Sequence, residues 1–320
     1  MAACLSCMNP FVYRVEGAST QLWIPSHVTD IRQAAPPDSI GGQVLRLVPR
    51  ALERLPLLPE VAMEVNTLLR DPDVDMGKLA QTISRDQVIT VKILKLANSA
   101  LFAGLREITD VKAACTRIGL KSTSNMVQAI AASGIFRARQ SQHVEYMRNL
   151  WKHAVAAAHC ATEIAAYTAE PNNETMYAAA LTHDIGKVLI LDIIVNGRVP
   201  AFERVRESRV LFDEIIANYH GLLGLHVVQH WNLPPDFAVS TYCHAHPQST
   251  PDNAWQTSVA IVSLGSALAN ASGYGVSDVE VSLLSHPATK YLGFNDIKLA
   301  TLRVDLEDKL APLFDLPDPA

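Results

Sequence analysis

Apolar residues in this chain recur mainly at helical spacing, three and four positions apart, from about residue 45 onwards. Segments of this kind are separated by short breaks rich in Pro, Gly, Asp and Asn, the residue types that begin and end helices. No run alternates between apolar and polar residues for long enough to predict a convincing strand. The pattern predicts an all-α fold and leaves residues 1–44 unassigned, because they hold no sustained period.

Side chains that can cap helices mark several of the predicted boundaries. Asp75, Asp86 and Asp110 each precede an apolar helical stripe, and Ser122 is placed to cap the helix after them. Gly119 lies where one helix is predicted to end, at a position that often needs a left-handed residue. These signals predict a bundle of short helices in the first half of the chain.

Composition and charge set the class of protein. With 320 residues, 49% of them hydrophobic and 18% charged, the chain can bury a large interior in one domain or in two lobes. We predict a helical N-terminal lobe over 45–142, a second helical lobe over 143–311 and a tail over 312–320. The formal net charge of −5 provides no basic face for nucleic acid, so we expect no nucleic-acid partner.

The sequence contains no signal for export or membrane insertion. The first 25 residues lack a basic start followed by an apolar core. No charged residue occurs between Asp252 and Asp278, yet the stretch is rich in Ser, Gln and Gly, which favours a buried helix over a membrane span. Cys4 and Cys7 form the single CxxC pair among five cysteines, and reduced thiols are the simpler interpretation. We therefore expect a cytoplasmic protein.

The stretch 177–195 is apolar except at its centre, where it carries His183, Asp184, Gly186 and Lys187. Charged side chains are rarely buried unless they are paired or bind a metal. If the stretch is one helix, His183 and Lys187 share a face, and other helices must supply further ligands. Ten of the eleven histidines lie beyond residue 140. A hydrogen-bonded polar cluster is the alternative interpretation.

Several short motifs follow one another between about Leu55 and Ala271. The first half contains LPLLPEVA (55–62), the Asp-Pro-Asp turn (71–73), LANSA (96–100) and IGLKS (118–122). The second half contains WKH (151–153), THDIGK (182–187), His220, WNLP (231–234) and His244 before Pro247. In this order they resemble the motifs of the HDOD family. HDOD proteins are relatives of the HD metallohydrolases, and they usually serve as signalling output domains. The resemblance implies a two-lobed all-α fold, with a small N-terminal helical bundle packed on an HD-type helical lobe.

The resemblance also implies a set of site residues. Active HD enzymes hold a divalent metal with a His from an early helix, the His-Asp pair and a later Asp. The related HD-GYP phosphodiesterases add a Lys after the pair and more histidines for a second metal. The matching positions in this chain make five residues candidate ligands for iron, manganese or zinc: His153, His183, Asp184, His220 and His244. Lys187 and Asp184 are the candidate catalytic residues.

Two departures from the enzymes change what the resemblance implies. The late Asp falls at Ser266 in VSLGSALA (262–269), and a hydroxyl in place of a carboxylate removes an anionic ligand. The segment that begins at His244 reads HAHPQ and contains no Gly-Tyr-Pro element. The sequence therefore predicts a degenerate HD-type metal site.

Neighbouring polar residues have less specific interpretations. His159, His226 and His230 are interpreted as helical histidines rather than ligands, and His246 is a candidate replacement beside His244. Glu214 is placed either to orient His220 or to remain in solvent. Asp86 and Asn98 are expected to cap or bridge helices.

We weigh three functions. The first is a bacterial signal-transduction protein that acts as a non-catalytic output or adaptor module and binds signalling proteins. The second is a metal-dependent phosphohydrolase or phosphodiesterase, in which the ion lowers the pKa of a water and Lys187 stabilises phosphoryl charge. The third is a sensor of metal or nucleotide that has kept the site without turnover. Metal analysis separates the first from the others, and phosphate release separates the second from the third.

Overall fold

The computed structural model of the chain describes residues 8–15, 18–25, 35–56, 59–68, 74–99, 102, 107–136, 143–168, 173–231, 233–250, 253–276 and 282–314. Cys4, Cys7, the turn at 71–73 and the end of the predicted tail lie outside these residues.

Helices dominate the described residues, as the apolar pattern predicts. In chain order they are α1 Ile40–Leu52, α2 Glu60–Leu68, α3 Met76–Ile83, α4 Gln87–Ala97, α5 Val111–Ile118, α6 Leu120–Ser133, α7 Val144–Thr168, α8 Asn173–Thr182, α9 Ile185–Asn196, α10 Pro200–Glu207, α11 Arg209–His230, α12 Pro235–Cys243, α13 Asn253–Ala269, α14 Pro287–Leu292 and α15 Asp296–Phe314. A 3₁₀ turn (Pro247–Ser249) and a π-turn (Asn270–Tyr274) complete them. The all-α fold class is confirmed.

Most of the predicted caps are observed. The carboxylates of Asp75, Asp86 and Asp110 accept backbone N–H groups in the first turns of α3, α4 and α5. Gly119 ends α5 with a φ of 90°, a left-handed conformation that favours glycine. The prediction for Ser122 is wrong, because α6 already begins at Leu120 with Gly119 as its N-cap.

A β-hairpin near the N-terminus was not expected from the sequence. Strands β1 (Met8–Val15) and β2 (Ala18–Pro25) pair antiparallel, with Phe11 opposite Leu22. The strands contain β-branched and aromatic residues, which strands favour. Their apolar residues run consecutively instead of alternating with polar ones, so the period-two signal is absent. Helix α1 also begins inside the segment that the sequence left unassigned.

Two groups of buried side chains form the interior. The smaller core lies among α2, α3, α4, α5 and one side of α6, with Val65, Leu79 and Ile93 at its centre. The larger core lies among α7, α8, α9, α11, α12 and α13. Most of the smaller core lies within 45–142 and most of the larger core within 143–311, and the lobe bounds themselves stay a prediction.

Helices α1 and α6 do not follow that division. Helix α1 buries Val44, Leu45 and Val48 in the larger core and packs on α9 and α11, so its apolar face belongs with the second lobe. Helix α6 places Val127 in the smaller core and Ala129 in the larger one. It therefore joins the lobes through opposite faces.

The uncharged stretch near residue 260 is α13, which packs along α7 in the larger core. Among the residues that the structure describes, no helix combines the length and the apolar character that crossing a bilayer requires.

Candidate metal centre

The five predicted ligands come from four separate places in the chain and meet inside the larger core. His153 lies in the middle of α7, and His220 lies in the middle of α11. His183 and Asp184 form the break between α8 and α9, and His244 follows the last residue of α12. Each of these five residues is buried, with a relative exposure of 9% or less.

The stretch that carries His183 and Asp184 is two helices with a break between them, not one continuous helix. Helix α8 ends at Thr182 and α9 begins at Ile185. The change of direction at the break brings both side chains into the same interior space. In one continuous helix, adjacent side chains would point about 100° apart. Lys187 lies in the first turn of α9, and its Nζ is 2.6 Å from Asp184 Oδ2.

Two triangles of ligand atoms share Asp184. In the first, His153 Nε2 and His183 Nε2 are 3.3 Å apart, and each is 3.4 Å from Asp184 Oδ2. In the second, His220 Nε2 and His244 Nε2 are 3.2 Å apart, and they lie 3.9 and 3.5 Å from Asp184 Oδ1. Nitrogen ligands about 2.1 Å from one ion lie roughly 3.0–3.4 Å from each other in octahedral or tetrahedral geometry. The spacings fit metal binding.

The four histidines have the same hydrogen-bond arrangement. Each Nδ1–H donates to a backbone carbonyl oxygen at 2.5–3.0 Å, and the acceptors are Tyr274, Ala180, Ile216 and Thr241 for His153, His183, His220 and His244, respectively. A carbonyl can only accept, so Nδ1 carries the proton and Nε2 of a neutral ring holds a lone pair. All four lone pairs therefore face the carboxylate, and carbonyl bonds of this kind orient histidine ligands in metal sites.

Few proton donors face these lone pairs. Among the described residues, the donors at the cluster are the Lys187 ammonium and the Ser266 hydroxyl, which is 3.2 Å from Nε2 of both His153 and His183. One hydroxyl proton can satisfy one of these nitrogens at a time. Asp184 Oδ1 is buried without a hydrogen-bond partner. A cation would satisfy these groups together, so the residues present fit a metal ion.

Burial keeps three of the imidazoles neutral. It lowers the pKa of His153 to about 4 and that of His220 to about 3, and it holds the pKa of His183 well below its usual value. Burial alone would raise the pKa of Asp184, but the Lys187 ammonium and the neighbouring histidines together outweigh burial and hold that pKa well below the usual range. Near pH 7 the Asp184 carboxylate is therefore ionised, and the imidazoles of His153, His183 and His220 are neutral.

The remaining candidates lie elsewhere. His246 and His230 are exposed, and His159 and His226 are not part of the cluster. Glu214 is exposed, and the Ile216 carbonyl takes the orienting position at His220. Asn98 ends α4 and bonds to both backbone groups of Ile108, so the bridging role predicted for it is confirmed.

Some supporting groups were not found from the sequence. The Tyr274 carbonyl orients His153, and any residue type could supply that atom, so no sequence signal marks it. Ser263 donates to the carbonyl of His244 at 2.5 Å. It lies three residues before Ser266 on α13, and helical spacing could have indicated that both face the site.

The chain has a distant relative among known proteins. An uncharacterized protein of Treponema pallidum (strain Nichols) is 24% identical over 188 residues, which cover 57% of this chain and 36% of that protein. The chain therefore spans about a third of the length of this relative.

Two crystal structures of bacterial proteins show the same fold. A Marinobacter aquaeolei VT8 protein, provisionally named a signal transduction protein, has a TM-score of 0.64 at 18% identity, covering 89% of this chain and 67% of that one. A Shewanella amazonensis SB2B protein, provisionally named a metal-dependent phosphohydrolase, has a TM-score of 0.60 at 19% identity. The match covers 85% of this chain and 99% of the Shewanella chain. The model of the HDOD domain matches residues 55–247, more than half of the chain. The chain belongs to the HDOD family.

Proposed function

We propose that this protein is a bacterial signalling output or adaptor protein whose HD-type site binds a divalent cation without turning over a substrate. The observation that carries the proposal is the shared orientation of four imidazole lone pairs toward a single carboxylate. Such an array has more acceptors than the donors described around it, and a cation would complete it. We expect the protein to act in the cytoplasm on signalling partners.

The balance of charge supports binding over hydrolysis. Asp184 and Lys187 offset each other, and Ser266 stands where the related enzymes place a second carboxylate. Imidazole-rich sites suit iron and zinc, whereas manganese prefers oxygen ligands. When bound, such an ion can lower the pKa of a water and polarise a phosphoryl oxygen. With one carboxylate the site lacks the anionic support that hard ions in particular require.

The phosphohydrolase remains the second candidate, because Lys187 is 2.6 Å from the shared carboxylate. An ammonium in this position could stabilise charge on a phosphoryl group. The structural relative provisionally named a metal-dependent phosphohydrolase has the same fold, and fold alone does not transfer an activity.

Metal analysis tests the proposal directly. We expect purified protein loaded with iron, manganese or zinc to retain the ion through gel filtration. The His183→Ala variant should lose the ion, because it lacks one of the three ligand side chains of the first triangle. His230→Ala is the matched control, since His230 is an exposed histidine outside the cluster. Equal metal content in wild type and His183→Ala would rule out the site.

Turnover is measured separately. The metal-loaded protein is incubated with nucleotides and cyclic dinucleotides, and phosphate or linear product is quantified. We expect no release above the His183→Ala background. Release that needs both His183 and Lys187 would replace the signalling proposal with the phosphohydrolase.

A further inference from the structure

The end of α15 lies beside the metal centre. Phe314, the last residue of that helix, packs edge-on against Trp151, with the ring centroids 5.6 Å apart and the ring planes at 75°. On another side lies Tyr274, whose ring centroid is 5.2 Å from that of Phe314. The Lys152 ammonium is 5.6 Å from the Phe314 centroid, within reach of a cation–π contact. One aromatic side chain thus contacts three residues of two other elements.

These three neighbours all border His153. Trp151 and Lys152 come directly before it on α7. Tyr274 supplies the carbonyl oxygen to which His153 Nδ1–H donates at 3.0 Å. That bond directs the Nε2 lone pair of His153 toward the cluster, so the position of the Tyr274 backbone sets how the ring faces an ion. Phe314 therefore reaches a metal ligand through one intervening residue.

The turn that carries Tyr274 is attached to α15 at both ends. It is the π-turn Asn270–Tyr274 after α13, and such turns are rare and frequent at functional sites. Near its beginning, Arg303 Nη2 of α15 donates to the Ala271 carbonyl at 2.9 Å. At its end, Phe314 packs on the Tyr274 ring. A shift of the α15 end would consequently move the carbonyl that orients His153.

We propose that Phe314 is a positioning residue of the metal centre: it holds the Tyr274 carbonyl against His153, so metal binding and docking of the α15 end strengthen each other. The coupling is reciprocal, because an ion that needs His153 in this orientation favours the docked helix and the docked helix favours the ion. The positioning role applies to the metal-free protein as well, whereas the coupling rests on the proposed metal binding.

The chain provides a matched control at the other end of α15. Phe294 lies two residues before the helix, packs edge-on against Tyr167 at a centroid distance of 5.9 Å and has the Lys298 ammonium 5.5 Å from its centroid. Tyr167 follows His153 by fourteen residues on α7, which corresponds to about 21 Å along the helix axis. Phe294 thus repeats the contacts of Phe314 far from the metal centre.

The zinc affinity of the full chain, measured by competition with a chromophoric chelator, tests the coupling. We expect Phe314→Ala to weaken zinc binding about tenfold, as loss of a group that orients a ligand does. Phe314→Tyr should keep the wild-type affinity, because the ring remains. Phe294→Ala should stay within about twofold of wild type, since distant sites act independently. Equal weakening in Phe314→Ala and Phe294→Ala would indicate a general loosening of α15 and overturn the proposal.

Nitrogen-15 NMR of the histidine side chains in metal-free protein tests the positioning role separately. The His153 signal is assigned by its loss in His153→Gln. In wild type we expect one tautomer with the proton on Nδ1, and in Phe314→Ala a proton shared between the two ring nitrogens. An unchanged tautomer in Phe314→Ala overturns the positioning role. Wild-type protein that binds no zinc would overturn the coupling together with the proposed function, and the NMR result would still decide whether Phe314 positions His153.

Discussion

At the scale of single residues, Ser266 decides how much charge the metal centre holds. Its hydroxyl is 3.2 Å from Nε2 of His153 and of His183, so it occupies the position from which another ligand would approach an ion. A neutral oxygen there leaves Asp184 as the one carboxylate of the cluster among the described residues.

Replacing Ser266 by Asp should therefore strengthen metal binding. We expect the affinity for zinc or manganese to rise at least tenfold, because a second carboxylate attracts the ion in a site with few charges. Without metal the same variant should melt at a lower temperature than wild type, since two buried carboxylates repel each other. Competition with a chromophoric chelator measures the first effect, and thermal unfolding in EDTA measures the second.

Ser266→Asn is the control for that experiment, because it matches Asp in shape and carries no charge. It should leave metal affinity within a few-fold of wild type. If Asn and Asp variants bind metal equally, charge at residue 266 does not limit the site, and the argument against hydrolysis loses its main support.

At the scale of elements, the site depends on how closely α9 and α11 cross. Gly186 lies in the first turn of α9, and a Cβ added there would be 1.9 Å from the carbonyl oxygen of His220 and 2.6 Å from the nitrogen of Gly224. These are backbone atoms, which cannot rotate away. The glycine thus allows α11 to bring His220 to the Asp184 carboxylate.

Gly186→Ala should force α9 and α11 apart. We expect the free energy of unfolding to fall by about 2 kcal/mol or more, in the range of overpacked cores, and metal binding at the His220–His244 half to weaken. Urea unfolding and metal titration measure the two effects.

Gly134→Ala is the matched glycine control. Gly134 has ordinary helical angles, with a φ of −66°, and its nearest contact to an added Cβ is 3.6 Å away. This variant should be neutral or more stable by up to about 1 kcal/mol. A Gly186→Ala protein as stable as Gly134→Ala would show that the helices can separate freely.

At the scale of the whole molecule, α6 connects two cores of unequal size. Val127 and Ile130 pack in the smaller core, and Ala129 and Ala132 pack in the larger one. Loss of either core would expose one face of the same helix. The lobes should therefore unfold together.

Unfolding in urea can be followed by two probes that report on different regions. Far-ultraviolet circular dichroism follows helices of both lobes. In a Trp23→Phe variant, which removes the tryptophan of β2, fluorescence comes from Trp151, Trp231 and Trp255, which belong to or pack on the larger core. We expect both probes to show the same midpoint, as in a two-state transition. Helix loss at lower urea, before any change in fluorescence, would mean that the smaller lobe unfolds independently.

The sequence alone was sufficient for the helical class and for most of the predicted caps. Aspartates before apolar stripes predict helix starts because a carboxylate satisfies free N–H groups locally. His183, Asp184 and Lys187 stand out as polar residues inside an apolar segment. His153, His220 and His244 became candidate ligands through the resemblance to the HDOD family.

The rest depends on contacts that are distant in sequence. The helix break at His183-Asp184, the two triangles around Asp184 and the meeting of Ser266 with two imidazoles require five elements to be packed together. The carbonyl of Tyr274 has no signature in the sequence, because every residue carries the same group. The sequence by itself determined which chemistry is present, whereas only the tertiary structure decided which lone pairs face one another, because direction and distance arise from packing.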